Sequence, residues 1–249
     1  MSKSVYEKMV KCGHTRLAVL VDPDKQTEDS LMRLIQQAEN CKADFFFVGG
    51  SLLVKDAFEK TVKSIKQQSK LPVVIFPGNN YQLSNEADAI LLLSLISGRN
   101  AEYLIGQHVA AAAALKKSKL EIIPTGYMLI DGGRISTTSY ITQTVPIPAA
   151  KTDVAVATAL AGEMLGMKAI YLEAGSGAHH SVSAKMIKQV KQNIAGPLIV
   201  GGGIKTGEQA EEISRAGADI IVIGNILEKE PEALMEIALG VKWADKSSL

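Results

Sequence analysis

The stretch "PLIVGGGIKTGEQAEEISRAGADIIVIGN", residues 197–225, decides the fold. It opens on a short apolar run, 197–201, and closes on a second, 219–224. The first run ends on Gly201, and two more glycines, 202 and 203, follow before a helical pattern that starts at Thr206, a natural N-cap, and ends at Gly217, a natural C-cap. Strand, glycine turn, helix, strand is a βαβ unit. The near-continuous hydrophobicity of both runs suits parallel strands covered on both faces.

Working outward, six more runs of the same kind occur at 16–21, 43–48, 72–76, 88–93, 121–128 and 169–173, which makes eight. Helical patterns separate most of them. Residues 27–42 begin at Thr27 and carry Leu31, Leu34, Ile35 and Ala38 at helical spacing. Residues 183–194 place Met186, Ile187, Val190 and Ile194 in the same way, and 230–243 have Pro231 near their start, where proline is tolerated. Eight such runs with helical crossovers predict an α/β chain folded as one (β/α)8 TIM barrel over residues 1–249, with a doubly wound open sheet as the alternative. One crossover is irregular. "PGNNYQLSNEA" (77–87) is too polar and short for a helix, so the third helix is expected to be missing or replaced by an extended segment. "DGGRISTTSYITQTVPIPAA" (131–150) alternates polar and apolar residues and is expected as a hairpin or loop excursion over the top of the barrel.

Composition narrows the function classes. The chain has 249 residues, 47% of them apolar, which is enough for one large core. Its 27 basic and 26 acidic residues leave a net charge of +1, so neither nucleic acid nor a polybasic membrane contact is expected as the main partner. Cys12 and Cys41 lack metal-ligand spacing and read as reduced thiols. The N-terminus has no apolar signal region, and no run approaches the roughly 18 apolar residues of a membrane span. A cytoplasmic location is the expectation.

In a (β/α)8 barrel the chemistry gathers at the C-terminal ends of the strands. Gly202 and Gly203 follow the seventh run, and Gly224 and Asn225 end the eighth. Glycines let backbone N–H groups approach an anion, and a following helix N-terminus adds a favourable dipole, so this pair of loops predicts a phosphate seat. "YLEAGSG" after the sixth run extends it. Tyr171 and Glu173 share one face of a strand, and Gly175, Ser176 and Gly177 add N–H groups and a hydroxyl. A carboxylate beside a phosphate seat suggests a hydroxyl to be oriented or deprotonated, which makes Glu173 the catalytic candidate. "DPDK" after the first run holds Asp22, Asp24 and Lys25. Carboxylates there, with Ser51 on the neighbouring strand end, suit Mg2+ held by one or two carboxylates plus substrate oxygens, and Lys25 suits a second phosphate group. His179 and His180 are adjacent on a loop with no third or fourth ligand nearby, and read as bystanders rather than a metal site.

Taken together, "VDPDK", "GGS", "YLEAGSGA", "VGGGI" and "IGNI", in this order along the chain, resemble the geranylgeranylglyceryl phosphate synthase family, with its bacterial heptaprenylglyceryl phosphate synthase relatives. The resemblance implies a prenyltransferase of ether-lipid biosynthesis. It would join sn-glycerol 1-phosphate to an all-trans prenyl diphosphate, geranylgeranyl diphosphate favoured, and release diphosphate. It places the glycerol phosphate on Tyr171, Glu173, Gly175, Ser176 and Gly177, completed by Gly202, Gly203, Gly224 and Asn225. Asp22 and Ser51 would hold Mg2+. It further implies a barrel lacking the usual third helix, a homo-oligomer, and peripheral membrane contact through the product. A prenyl chain needs an apolar groove, for which "AILLLSLIS" and the five alanines 110–114 are candidates, although tight packing of the alanine helix on the barrel is the simpler reading. The competing readings are another phosphate-binding barrel enzyme, acting on a phosphorylated sugar or flavin phosphate, and a non-catalytic phosphate-binding scaffold.

Overall fold

The computed structural model describes residues 4–10, 13–228 and 230–246; Cys12 lies outside them. Eight parallel strands close into a barrel in chain order: β1 Arg16–Val21, β2 Phe45–Val48, β3 Val73–Ile75, β4 Ala89–Leu95, β5 Glu121–Leu129, β6 Ala169–Glu173, β7 Leu198–Gly201 and β8 Ile220–Ile223. Closure is made at β1, where Val19 pairs with Phe46 on one side and Ile223 on the other. The open-sheet alternative is thereby excluded.

Nine helices are described: α1 Val5–Val10, α2 Glu28–Asn40, α3 Phe58–Gln68, α4 Gln107–Lys117, α5 Thr137–Thr142, α6 Thr152–Met164, α7 Ala184–Asn193, α8 Gly207–Arg215 and α9 Ala233–Lys246. Their starts follow from the chain chemistry. Thr27 and Thr206 form capping boxes with Ser30 and Gln209, and Ser183 caps α7. Gly217, at φ +104°, lies just past α8, where a left-handed residue ends a helix. No described helix is long and apolar enough to cross a membrane.

The strands are largely apolar because both faces of each are covered. Inward residues such as Ala18, Phe47, Leu91, Tyr127, Tyr171 and Ile199 fill the barrel, and Met9 of α1 packs with them from below. Outward residues such as Val19, Phe46, Ile75, Leu172 and Val200 pack with buried side chains of the surrounding helices. The Glu121 carboxylate ties α1 to the foot of β5 by accepting the N–H groups of Val5 at 2.6 Å and Tyr6 at 3.2 Å.

Between β3 and β4 there is no helix, as expected from 77–87. Side chains take over the turns: Asn79 Oδ1 accepts Tyr81 N–H at 3.0 Å, and Ser84 Oγ accepts Glu86 N–H at 3.2 Å. Gly78 lets this crossover lie directly on the β2 loop, since a Cβ there would sit 2.1 Å from the Gly50 carbonyl oxygen. Of the two expectations for segment 131–150, the hairpin is not formed; the segment is a loop excursion that carries a helix. It makes one parallel bridge, Ile130 to Ile147, and folds into α5. The Ser136 hydroxyl caps Ser139 N–H, and Gln143, left-handed at φ 53°, ends the turn. A serine cap outweighed the alternation that suggested paired strands.

Candidate active site

β6 builds the centre of the rim. Ala169, Tyr171 and Glu173 share the inward face, and Glu173 stands at its upper end, 7% exposed. Gly175 N–H donates to Glu173 Oε1 at 2.7 Å. The end of β7 closes over the carboxylate: a Cβ on Gly202, at φ +83°, would lie 2.3 Å from Glu173 Oε1, and one on Gly201 would lie 2.3 Å from Tyr171 Oη. Burial raises the Glu173 carboxyl from about 4.5 to about 7, with the Gly175 N–H and the Tyr171 hydroxyl pulling the other way. That hydroxyl is close enough to favour the carboxylate, although it is buried without a well-formed hydrogen bond. Burial, and then the Glu173 charge, push both Tyr171 and Tyr127 well above the ordinary phenol value, so both stay protonated. The Tyr171 ring is clamped between Phe76 and Tyr127, each with its centroid 5.2 Å away.

The glycine loops converge beside this carboxylate. Gly175, Gly177, Gly202 and Gly203 all have positive φ, at +102°, +69°, +83° and +70°. Asn225 reaches the same place from β8: its Oδ1 lies 3.6 Å from the position a Gly177 Cβ would take. Ser176 is exposed between the two glycines, and Gly224 packs over Leu20 of β1. Consecutive backbone turns of this kind present N–H groups to an anion.

On the opposite edge, Asp22 caps the turn Pro23–Lys25, its Oδ1 accepting Asp24 N–H at 3.1 Å. Lys25 Nζ lies 3.0 Å from Glu228 Oε1 and 3.6 Å from Asp22 Oδ2. Burial opposes the charge of Lys25, but the two carboxylates outweigh it and its pKa is raised. Asp24 points elsewhere: its carboxylate accepts the N–H groups of Val54 and Lys55. A Cβ on Gly50 would lie 3.3 Å from Asp22 Oδ1, which brings the Gly50–Ser51 loop against Asp22. Gln82 fixes that loop by gripping both backbone groups of Gly50, at 2.8 and 3.2 Å. Among the described residues no group of three His, Cys, Asp or Glu converges. A single carboxylate with a serine hydroxyl suits a hard cation that takes its remaining ligands from water and substrate, as Mg2+ does. His179 and His180 are exposed with ring centroids 6.5 Å apart, and their backbone N–H groups both donate to the Gly132 carbonyl.

An apolar pocket, open to solvent at one side, is lined by Ser51, Tyr127 and Leu93 and by Ile90 and Leu92 on the outer face of β4. Ala111 and Leu115 of α4 form its far wall, and the crossover that replaces a helix leaves the space for it. Both regions singled out in the sequence, 89–97 and the alanine helix, contribute to it; the other alanines of that helix, 110 and 112–114, face solvent. One turn of π-helix, Glu102–Gly106, precedes α4, and Gln107 then ties α4 to the crossover by accepting Asn80 N–H at 2.9 Å.

Several site residues escaped the sequence reading. Arg134 donates to the Gly177 carbonyl at 3.2 Å, and Thr138 Oγ1 lies 2.7 Å from Ser51 Oγ. Both come from the segment after β5, the one rim segment whose polar residues were read only as shape. Glu228 gave no signal beyond lying after β8.

The closed parallel barrel, with glycine loops, a buried carboxylate and an apolar cavity on its C-terminal rim, defines the class of (β/α)8-barrel enzymes with a glycine-built anion seat. Within that class the chain belongs to the PcrB family, whose sequence profile matches residues 10–241. It is 52% identical over 235 residues to the geranylgeranylglyceryl phosphate synthase of Spirosoma linguale, covering 94% of both chains. It is 50% identical over 232 residues to the protein of the same name from Chitinophaga pinensis, covering 93% of this chain and 92% of that one. Its fold superposes on the crystal structure of (S)-3-O-geranylgeranylglyceryl phosphate synthase from Thermoplasma acidophilum in complex with substrate sn-glycerol-1-phosphate. The TM-score is 0.91 at 35% identity, over 97% of this chain and 99% of that one.

Proposed function

We propose that this chain transfers a prenyl group, geranylgeranyl favoured, from its diphosphate to sn-glycerol 1-phosphate, forming a prenylglyceryl phosphate ether, with Mg2+ held by Asp22 and Ser51. One observation carries the reading: the buried carboxylate of Glu173 stands beside a glycine-built anion seat, on the same rim as an apolar pocket lined by Tyr127. These are the three environments that a phosphate, a reacting hydroxyl and a prenyl chain require. The names of the relatives, and the glycerol phosphate bound to one of them, point the same way.

The seat anchors the phosphate, which places the glycerol hydroxyl at Glu173 and converts a bimolecular encounter into a local one. At neutral pH a carboxyl group near 7 is partly ionised and well matched to take a proton from that hydroxyl. The hydroxyl oxygen forms its bond to the allylic carbon as the carbon–oxygen bond to diphosphate breaks, and the proton goes to Glu173. When bound, Mg2+ supplies positive charge that stabilises the departing diphosphate. Lys25, held by Asp22 and Glu228, adds a cation on the same edge. The cavity keeps the chain out of water and orients its reactive end toward the rim.

The test is incubation with Mg2+, labelled sn-glycerol 1-phosphate and a ladder of prenyl diphosphates, followed by identification of the ether product; no product with any donor overturns the reading. The proposal extends to a homo-oligomer and to peripheral contact with a lipid surface. Leu52, Val54 and Tyr81 are exposed on the loops after β2 and β3, and Tyr140 is exposed on α5; neighbouring residues of all three segments line the cavity. Flotation with neutral vesicles checks that contact, and a chain that stays entirely in the dense fraction refutes it.

A further inference from the structure

The glycine seat presents dipoles but no full charge. A phosphate monoester carries about −1.5 to −2 near neutral pH, and here it would sit beside Glu173, which is itself partly anionic. Such a pairing needs a nearby cation. Lys25 is held by Asp22 and by Glu228, whose carboxylate also accepts the Asn225 amide N–H at 3.5 Å; Lys205 and Arg134 are both exposed, and of the two only Arg134 hydrogen bonds to the seat. The rings of His179 and His180 pack toward Gly133.

We propose that Arg134 supplies that cation, as a positioning residue for glycerol phosphate. Its Nη1 donates to the Gly177 carbonyl at 3.2 Å. The same nitrogen lies 3.4 Å from the point where a Gly177 Cβ would stand, and Asn225 Oδ1 lies 3.6 Å from that point. Arg134 and Asn225 therefore meet over Gly177, in the middle of the seat. The backbone that carries Arg134 is fastened in place. Asp131 Oδ1 accepts Gly133 N–H at 2.9 Å, and the Gly132 carbonyl accepts His179 N–H at 2.9 Å and His180 N–H at 3.2 Å. Gly132 is pressed so closely onto the β6 loop that a Cβ would lie 2.3 Å from the Ala174 carbonyl oxygen. This docking gives the paired histidines a use: their backbone, not their rings, anchors the turn that aims the guanidinium. A guanidinium has five donors in a planar fork, and one hydrogen bond to Gly177 leaves the others for phosphate oxygens.

The inference rests on the reading of sn-glycerol 1-phosphate as substrate, and the experiment separates the two. Calorimetric titration of sn-glycerol 1-phosphate into the Mg2+-loaded wild type, Arg134→Met and Arg134→Lys is paired with the KM of each substrate and a melting temperature. Methionine keeps much of the side-chain stem and removes the charge. Arg134→Met is expected to weaken glycerol phosphate binding and raise its KM about 10–100-fold, while the KM for geranylgeranyl diphosphate changes less than about 3-fold and binding loses part of its salt dependence. Arg134→Lys is expected to recover part of the loss. If wild type binds glycerol phosphate and Arg134→Met binds it equally well, this inference alone falls. If both substrates weaken together with a lower melting temperature, Arg134 merely clips two loops and the inference also falls. A wild type that binds no glycerol phosphate overturns the parent reading, and this one with it.

Discussion

Glu173→Gln removes the charge while keeping the shape of the side chain, and its effects separate stability from catalysis. The folded chain holds the Glu173 proton up to about pH 7, against an ordinary value of 4.5. A carboxyl raised in this way contributes most stability below its unfolded value, and that stability is lost as pH rises through the folded value. The rise from 4.5 to about 7 corresponds to about 3 kcal/mol, which wild type loses between about pH 4.5 and pH 7 and does not lose further above that. Glutamine does not titrate, so the variant lacks this slope. Its amide oxygen still accepts Gly175 N–H, the one well-formed contact of the group. Urea unfolding at pH 5, 6, 7 and 8 is expected to show the variant gaining on wild type with pH, to about 2–3 kcal/mol at pH 8. Turnover is expected to fall about 100–10,000-fold, the usual range for loss of a general base. Glycerol phosphate binding is expected to change less than about 10-fold, because the phosphate is held by the glycine loops and Arg134 rather than by Glu173. Wild-type kcat/KM for glycerol phosphate is expected to rise with pH to a plateau above about 7, as the base loses its proton. Parallel stability curves for the two proteins, or near-normal turnover in the variant, would refute the account of Glu173.

Two further substitutions probe the cavity and the metal edge. Ala111→Phe adds a ring to the cavity wall opposite Ile90 and Leu92 and is expected to shift product formation toward shorter prenyl donors, read by mass spectrometry of products from a mixed donor ladder. Asp22→Asn is expected to raise the Mg2+ concentration for half-maximal activity at least about 10-fold. Asp24→Asn loosens the Val54–Lys55 turn and is expected to lower the melting temperature by a few degrees with little change in Mg2+ response; equal metal dependence in the two variants would reject the assignment of Asp22.

What could be read from the sequence, and what could not, divides along a physical line. Residues 197–225 show their fold because parallel strands buried on both faces need unbroken apolar runs, and each turn between strand and helix needs its glycine or threonine within a few positions. The absent third helix is legible for the converse reason: Asn79 and Ser84 bond to nearby backbone and compete with helix formation. Tyr171 and Glu173 are legible because the two-residue period of a strand places both inward. The remaining parts of the site arise by convergence. Asp22 and Asp24 look alike in "DPDK", yet one turn sends the first to the rim and the second to the N–H groups of residues 54 and 55. Arg134, 43 positions before Gly177 in the chain, reaches it only because Gly132 is small enough to lie on the β6 loop.

The paired histidines show the same division from the other side. As side chains they suggest a metal site, but each offers its backbone N–H to one carbonyl, and that contact is independent of what the imidazoles are. The requirement therefore falls on residues 132 and 133, where a side chain would collide with Ala174 or face a positive φ of 85°, rather than on the two rings. Replacing Gly132 should displace the turn that carries Arg134, whereas replacing either ring leaves the hydrogen bonds that hold it.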